Sequence, residues 1–251
     1  MFAITTRNKL RSRRHALSMI MAWVRIRRQL YRTPGMVAYT TGMASLTEFY
    51  TLTLWDKEID MMAFMSSDDH REMMWNVRHW SDSFWSMRWK PTRNEIGKWN
   101  ERSFANENSV KTKFTYVGPG YLEMSGVPEK LRSVLKNITR QSEPEILESS
   151  AVICRIPTPS ISDIFRLRKL MQPWQSDRTL LRFELAYGFG ECKIIAAWEK
   201  NEKDKSTILL ELIELNFPEA WAMRFNATDF EIGHWDNMRF RELATNGNNE
   251  R

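Results

Sequence analysis

The sequence has 251 residues, 42% of them hydrophobic, which is enough to bury a core in each of two units of about 100 residues. Its net charge of +6 is local: residues 1–47 hold nine Lys or Arg and no acid, whereas the remaining 28 basic and 31 acidic residues sum to −3. No stretch approaches the roughly 20 apolar residues of a spanning helix, and no zinc-finger or RNA-binding motif is present. We expect no nucleic-acid partner, and two cysteines, too few for a disulfide framework, favour a cytoplasmic location.

The first unit, residues 1–100, has the pattern strand, helix, two strands, helix, strand. Its first helix is basic and amphipathic and is ended by a Pro-Gly step, and the two strands after it are rich in Val, Tyr, Thr and Phe, which is typical of a hairpin. A second helical region follows Trp55. The predicted elements are a helix at Arg11–Tyr31, strands at Met36–Met43 and Glu48–Trp55, a weaker opening strand at Phe2–Thr5 and a strand around Met87–Trp89.

A linker, residues 101–149, is predicted to hold one helix, Val127–Thr139, with Pro128 in its first turn. The second unit, residues 150–240, opens with a strand and repeats the hairpin of the first unit, with Gly188-Phe189-Gly190 as its turn. Residues 241–251 are predicted to be a disordered tail. The predicted strands of this unit are Ala151–Ile156, Thr179–Tyr187, Glu191–Trp198 and one around Met223–Phe225.

An internal repeat relates the two units. Ser86–Asn100 and Ala222–Asp236 share seven of fifteen residues without a gap, where unrelated segments should share about one. Upstream of these segments, Arg25–Trp55 corresponds to Arg168–Trp198, which lies 143 residues further along the chain. The two downstream segments are only 136 residues apart. The second copy therefore lacks seven residues in its second helical region.

Each unit has the order β-α-β-β-α-β, the ferredoxin-like pattern, in which both helices cover one face of a four-stranded antiparallel sheet. The uncovered faces of two such sheets can meet. The sequence therefore predicts an α+β fold in which two ferredoxin-like repeats form an internal pseudo-dimeric α+β barrel.

His70 is the most informative candidate site residue. It lies near the start of a helix and shares a face with Met73, Met74 and Val77, which should be the buried face. A neutral imidazole among methionines can be a single axial ligand for haem iron, although a purely structural histidine is an equally good interpretation. The second unit has no histidine in this region, so we expect one such site per chain.

Other candidate residues are weaker. His79 lies nine residues from His70, half a turn out of phase, and should face solvent. His15 and His234 are also weaker candidates than His70. No pair of histidines has metal-chelating spacing, and no phosphate loop, dinucleotide fingerprint or nucleophile elbow is present. Glu95 and Glu231 recur in a Glu-Ile-Gly-x-Trp motif in both units, which favours a structural lock over a pair of catalytic acids.

The segment from Tyr50 to Trp55, the acid-rich helix start, Phe64, His70 and the strand Phe84–Trp89 together resemble the antibiotic biosynthesis monooxygenase superfamily of dimeric α/β barrels. Within it the chain is most similar to the spheroidene monooxygenase group. That resemblance implies haem-dependent oxygen insertion with His70 as the haem ligand. The chain has Asp69 where that group usually has glycine before the histidine.

Three functions remain open at this point. The first is a haem-binding, monooxygenase-like oxidoreductase acting on a hydrophobic substrate, with His70, Met73 and Met74 at the cofactor and His70 as the metal ligand. The second is a cofactor-independent monooxygenase of a quinol or anthrone, for which Trp75, Trp80 and Trp85 would supply an aromatic pocket. The third is a non-catalytic barrel that binds a hydrophobic ligand, a partner or a membrane surface through the basic segment Arg7–Arg32. The sequence leaves oligomeric assembly open.

Overall fold

The computed structural model of the protein describes residues 1–105, 146–199, 202–236 and 238–240, without the side chains of Asp68, Asp69 and Gln175. The predicted linker helix Val127–Thr139 and the predicted tail, residues 241–251, lie outside the described residues. The strands are β1 (Phe2–Leu10), β2 (Met36–Ser45), β3 (Glu48–Trp55), β4 (Ser81–Ile96), β5 (Ile146–Pro157), β6 (Leu180–Gly188), β7 (Glu191–Trp198) and β8 (Trp221–Gly233). The α-helices are α1 (Ala16–Leu30), α2 (Glu58–Met65), α3 (Asp68–Trp80), α4 (Ile161–Met171) and α5 (Lys203–Asn216).

The eight described strands close into one antiparallel barrel in the order β1-β3-β2-β6-β7-β5-β8-β4. Followed around the barrel, unit one contributes the run β4-β1-β3-β2, and unit two contributes the equivalent run β8-β5-β7-β6. The predicted α+β fold of two ferredoxin-like repeats in an internal pseudo-dimeric barrel is confirmed.

Two unequal seams join the units. β4 and β8 pair from Trp85 opposite Gly233 to Ile96 opposite Ala222, with two register shifts along the way. β2 and β6, by contrast, are registered only at Met43 opposite Tyr187. Glycine permits this narrow contact, because a Cβ on Gly42 would lie 3.0 Å from the Tyr187 backbone nitrogen. The barrel is thus closed firmly on one side and by a short contact on the other.

Alternating side chains separate an interior core from two helix-covered layers outside the barrel. The interior is filled largely by aromatic rings, including Trp85, Trp89, Trp221 and Phe225, all fully buried. Outside, α1 buries Met19, Trp23, Ile26 and Leu30 against the sheet, the three- and four-residue spacing of an amphipathic helix. The second unit covers its outer face in the same way with α4 and α5.

A reciprocal pair of hydrogen bonds locks the units together at the motif that both repeats share. Trp85 Nε1 donates to Glu231 Oε1 at 2.7 Å, and Trp221 Nε1 donates to Glu95 Oε1 at 2.7 Å. Glu95 also accepts from the backbone nitrogens of Phe104 at 2.9 Å and Ala105 at 2.6 Å. These carboxylates therefore bind β4 to β8, in agreement with the predicted structural role.

Several elements are longer or shorter than their patterns predict. β1 continues to Leu10 and β4 to Ile96, because polar and Pro-containing stretches that look like loops find partners across the barrel. β5 begins at Ile146, inside the predicted linker. The first helix begins at Ala16 rather than Arg11, since Ser12 caps a separate 3₁₀ turn before it.

Candidate functional site

His70 is buried in the first turn of α3, outside the barrel, where its ring packs on Phe64 of α2 with the centroids 4.8 Å apart. Its Nδ1 lies 3.1 Å from the carbonyl oxygen of Met65. Burial lowers the pKa of His70 to about 4, so the ring is neutral at pH 7. Because a carbonyl can only accept, the proton sits on Nδ1, and Nε2 keeps the lone pair that a metal ligand needs.

The two methionines predicted beside His70 lie on the same helix face but in different surroundings. Met73 is half-buried and packs against the two apolar clusters under α1, α2 and α3. Met74 is also half-buried and belongs to neither cluster. Val77 completes the face and is buried, whereas His79 is exposed as predicted.

A surface cleft of about 500 Å³ lies beside His70, between α1 and the end of α2. Arg25, Arg28 and Arg32 line its α1 side, and Phe64 and Ser67 line the other. The volume is within the range of about 300 to 1,000 Å³ usual for small-molecule sites, and three guanidinium groups favour an anionic ligand. His70 does not itself line the cleft, but Phe64, whose ring packs on His70, does.

These residues fit haem in part. The neutral imidazole with an anchored Nδ1 suits axial ligation, and the arginines suit two carboxylates on a flat apolar ring. Since His70 does not line the cleft, a ligand seated there does not reach Nε2 without a rearrangement of the surrounding side chains. Among the described residues, no three His, Cys, Asp or Glu side chains converge to hold a bare metal ion.

A second polar site, which sequence reasoning missed, lies inside the barrel. Arg7 of β1 has a side chain only 2% exposed, and its Nε donates to Glu48 at 2.5 Å and to the Tyr50 hydroxyl at 3.0 Å. Its Nη2 donates to Asp236 of the second unit at 2.9 Å. In unit two, Arg155 and Glu191 repeat this pair, with Thr40 of unit one donating to Glu191 at 2.5 Å.

Glu184 and Lys193 lie between these two pairs, on neighbouring strands β6 and β7, and both line a small cavity with Tyr50. Burial, followed by repulsion from Glu48, raises the pKa of Glu184 to about 7. Burial lowers the pKa of Lys193 to about 7, and its Nζ has no hydrogen-bond partner among the described residues. The space open to the centre of a water molecule is about 10 Å³, so the cavity admits roughly one water.

The position of these two residues explains why they were missed. Leu181, Phe183, Leu185 and Tyr187 alternate with Arg182, Glu184 and Ala186, and the apolar set looks like the core face. In the fold Phe183, Leu185 and Tyr187 face the helix layer, whereas Leu181 and the polar set face the barrel interior. The signal available in the sequence was a charged residue within each of these two predicted strands, Glu184 in β6 and Lys193 in β7.

The three tryptophans proposed for an aromatic pocket are not brought together. Trp75 is 60% exposed on α3, Trp80 is half-buried at the end of that helix, and Trp85 lies inside the barrel. Helical phase explains the difference, since Trp75 lies on the opposite face of α3 from Val77. An aromatic pocket built from this set was wrong.

No helix within the described part of the chain has the length and apolar character needed to cross a membrane.

No protein-family model and no curated protein sequence matches the chain. Solved structures do match. A proposed antibiotic biosynthesis monooxygenase from Nitrosomonas europaea is 13% identical over 35% of this chain and 95% of its own, with a TM-score of 0.33. SnoaB, a cofactor-independent oxygenase from Streptomyces nogalater, is 12% identical over 35% of this chain and 86% of its own, with a TM-score of 0.29.

A proposed monooxygenase from Lactobacillus acidophilus is similar along most of the molecule. It covers 92% of this chain and 98% of its own, at 7% identity and a TM-score of 0.36. In all three the similarity lies in the fold.

Proposed function

We propose that this chain is a monooxygenase-like oxidoreductase that binds haem through His70 and acts on a hydrophobic substrate. The observation that carries the proposal is the state of His70: buried, neutral, with Nδ1 held by the Met65 carbonyl, and packed on Phe64, which lines a cleft together with three arginines. Haem, when bound, supplies the redox-active iron for oxygen insertion.

Each of the chain's own groups has a defined task in this proposal. His70 offers Nε2 to the metal, and the Met65 carbonyl fixes the tautomer and the ring orientation. Arg25, Arg28 and Arg32 hold carboxylates at the cleft entrance. Met73 and Met74 lie further along the same helix face and supply polarisable contacts. Membership of the spheroidene monooxygenase group stays a prediction.

Haem titration tests the assignment. Purified protein mixed with haemin should develop a Soret band, which His70→Gly should shift or abolish and added imidazole should restore in that variant. His79→Ala on the same helix, exposed and remote from the cleft, is the matched control and should leave the band unchanged. An identical spectrum in wild type and His70→Gly would contradict ligation by His70.

The arginines can be tested separately. Arg28→Glu should weaken haem binding by about tenfold if Arg28 holds a carboxylate, since a charge-assisted contact would become repulsive. Arg13→Glu, an exposed arginine before α1 that does not line the cleft, is the control. Equal haem affinities in the two variants would show that the cleft does not bind the haem carboxylates. Ligation by His70 is tested separately by the His70→Gly variant.

A second candidate is cofactor-independent oxygenation, favoured by one observation. Such chemistry needs a base that titrates near neutral pH in a dry site, and Glu184 has a pKa of about 7 inside the barrel. Because the cavity admits roughly one water, a substrate could reach Glu184 only if the short β2–β6 seam opened. Oxygen consumption with model hydroquinones by haem-free protein, lost in Glu184→Gln, would favour this candidate over haem.

A further inference from the structure

Three large apolar side chains are exposed on α1 and α3, two of the helices that cover unit one. Leu17 is 70% exposed, Met21 53% and Trp75 60%. Single exposed apolar residues are ordinary, whereas a contiguous group marks a surface that meets something else. Leu17 and Met21 are four residues apart on α1 and therefore lie on one face of it. We call Leu17, Met21 and Trp75 the apolar ridge.

Contacts between α1 and α3 place Trp75 beside the other two. The rings of His15, just before α1, and Trp80, the last residue of α3, stack with centroids 6.3 Å apart. Further along, Arg25 of α1 pairs with Glu72 of α3 at 3.8 Å. The two helices therefore run antiparallel. Because both rise by the same distance per residue, Met21, which lies between His15 and Arg25, is level with Trp75, which lies between Trp80 and Glu72.

Cations surround the ridge at its Leu17 end. Arg13 and Arg14 are exposed immediately before α1, and Arg78 is exposed on α3, three residues from Trp75 and thus on the same face. The acids on these two helices are Asp68, Asp69 and Glu72, all in the first turns of α3, towards the other end of α1. Apolar groups and positive charge therefore occupy one part of the surface.

The second unit shows that exposed apolar residues alone would not single out this surface. Leu215 of α5 is 81% exposed, more than any residue of the ridge. Its neighbours Glu211 and Glu214 are exposed acids, which an anionic surface would repel. Charge therefore separates this surface from α5, whereas α4 in the same layer exposes Ile161 and Phe165 beside Arg166, Arg168 and Lys169.

We propose that α1 and α3 dock on an anionic lipid surface, with the apolar ridge entering the headgroup region and Arg13, Arg14 and Arg78 against the lipid phosphates. Tryptophan suits this depth, because its ring is apolar and its N–H is polar. Arginine side chains complement acidic headgroups, and the attraction weakens as salt screens it. The proposal is independent of haem binding.

Vesicle sedimentation tests the surface, using the full chain with vesicles of phosphatidylcholine alone or with about a quarter phosphatidylserine. The protein should sediment with the anionic vesicles and at least about tenfold less with neutral ones, and raising NaCl from about 0.05 to about 0.5 M should release it. Sedimentation with neither kind of vesicle, or equally with both, would overturn the proposal.

Variants separate the ridge from the charges. Trp75→Ser should weaken binding at least about fivefold, and so should Arg13→Glu combined with Arg14→Glu, whereas Leu215→Ser beside the exposed acids of α5 should leave it unchanged. Arg11 is left intact because its Nε donates to the Ser81 carbonyl. Circular dichroism checks that each variant is folded. Loss in the arginine variant without loss in Trp75→Ser would overturn insertion of the ridge, and an equal loss in Leu215→Ser would overturn the choice of surface.

Discussion

The indole nitrogen of Trp85 donates to the carboxylate of Glu231 in the other unit at 2.7 Å, and Trp221 returns the same contact to Glu95. Each unit therefore supplies the donor for the other's acceptor. Both tryptophans are fully buried, so each N–H depends on that single carboxylate for its hydrogen bond.

Removing either carboxylate should destabilise the barrel. Glu95→Ala leaves the buried Trp221 N–H and the Phe104 and Ala105 backbone nitrogens without their acceptor, which should lower the free energy of unfolding by about 2 to 4 kcal/mol. Urea denaturation measures the loss. Glu101→Ala, at an exposed position nearby, should change stability by less than about 0.5 kcal/mol. Similar losses in both variants would mean that the lock contributes little.

The two glycines of the repeated motif should not tolerate a side chain. Gly97 and Gly233 have φ of +62° and +75°, and a Cβ on either would lie 2.0 Å from a carbonyl oxygen of the facing chain, that of Ala220 or Phe84. Gly97→Ala should therefore cost about 3 kcal/mol or more.

Gly190 is the matched control for that substitution. It has a similar φ of +78°, but a Cβ at this position would have no atom of the described residues within 4 Å, its chain neighbours aside. Gly190→Ala should cost only the backbone strain, about 1 kcal/mol. Equal thermal shifts in Gly97→Ala and Gly190→Ala would show that strain, and not the close contact, sets the cost.

The two pseudo-equivalent arginines should differ in their effect on stability. Arg7→Met leaves Glu48 and Tyr50 in the barrel without their cation, and should cost about 3 kcal/mol. Arg155→Met should cost less, about 1 kcal/mol, because the Arg155 and Glu191 side chains are 13% and 23% exposed and Thr40 still donates to Glu191. Urea titration measures the free energy of unfolding of the two variants. A larger loss in Arg155→Met than in Arg7→Met would contradict the prediction.

Stability should depend on pH through Glu184 and Lys193. The pKa of Glu184 rises from 4.5 to about 7 on folding, so the stability that its bound proton supplies is complete below pH 4.5 and is lost as pH rises through 7. The pKa of Lys193 falls from 10.5 to about 7, so its contribution is complete above pH 10.5 and is lost as pH falls through 7.

Both losses are therefore present together near pH 7. Relative to the double variant Glu184→Gln, Lys193→Met, the wild type should be least stable near pH 7, and should recover on the order of 2 kcal/mol towards pH 5 and towards pH 9. Urea unfolding at the three pH values measures this. Parallel curves for the two proteins would contradict the buried positions of these groups.

Much of the fold was predictable because the repeat fixes it. The seven shared residues of the motif identify the internal repeat, and they lie where β4 pairs with β8. One strand, β7, has the predicted bounds, Glu191–Trp198. The burial of His70 followed from its helical phase with Met73 and Val77. Local periodicity and a repeated segment are properties of the sequence itself, so they can be identified without the fold.

The interior polar site could not be predicted in the same way. Arg7 meets Asp236 across 229 positions of the chain, and no local pattern indicates that a charge near each end will meet inside a barrel. The alternation around Glu184 did not identify its face, because in a sheet covered on both sides alternation separates two buried faces and not core from surface. Trp75 was misplaced for a related reason, since an aromatic residue is usually assigned to the core.

The lock between the units also bears on how the chain folds. Trp85 and Glu231 are 146 residues apart, and Trp221 and Glu95 are 126 apart, so neither contact can form until both halves are present and near each other. Contacts of such long sequence separation raise the contact order and slow folding, because the entropy of closing the loop is lost before the contact forms. The hairpins β2–β3 and β6–β7 are local and can form early. Closure of the barrel is then the slow event, and a nascent chain that ends before Glu231 exposes the indole of Trp85 without its acceptor.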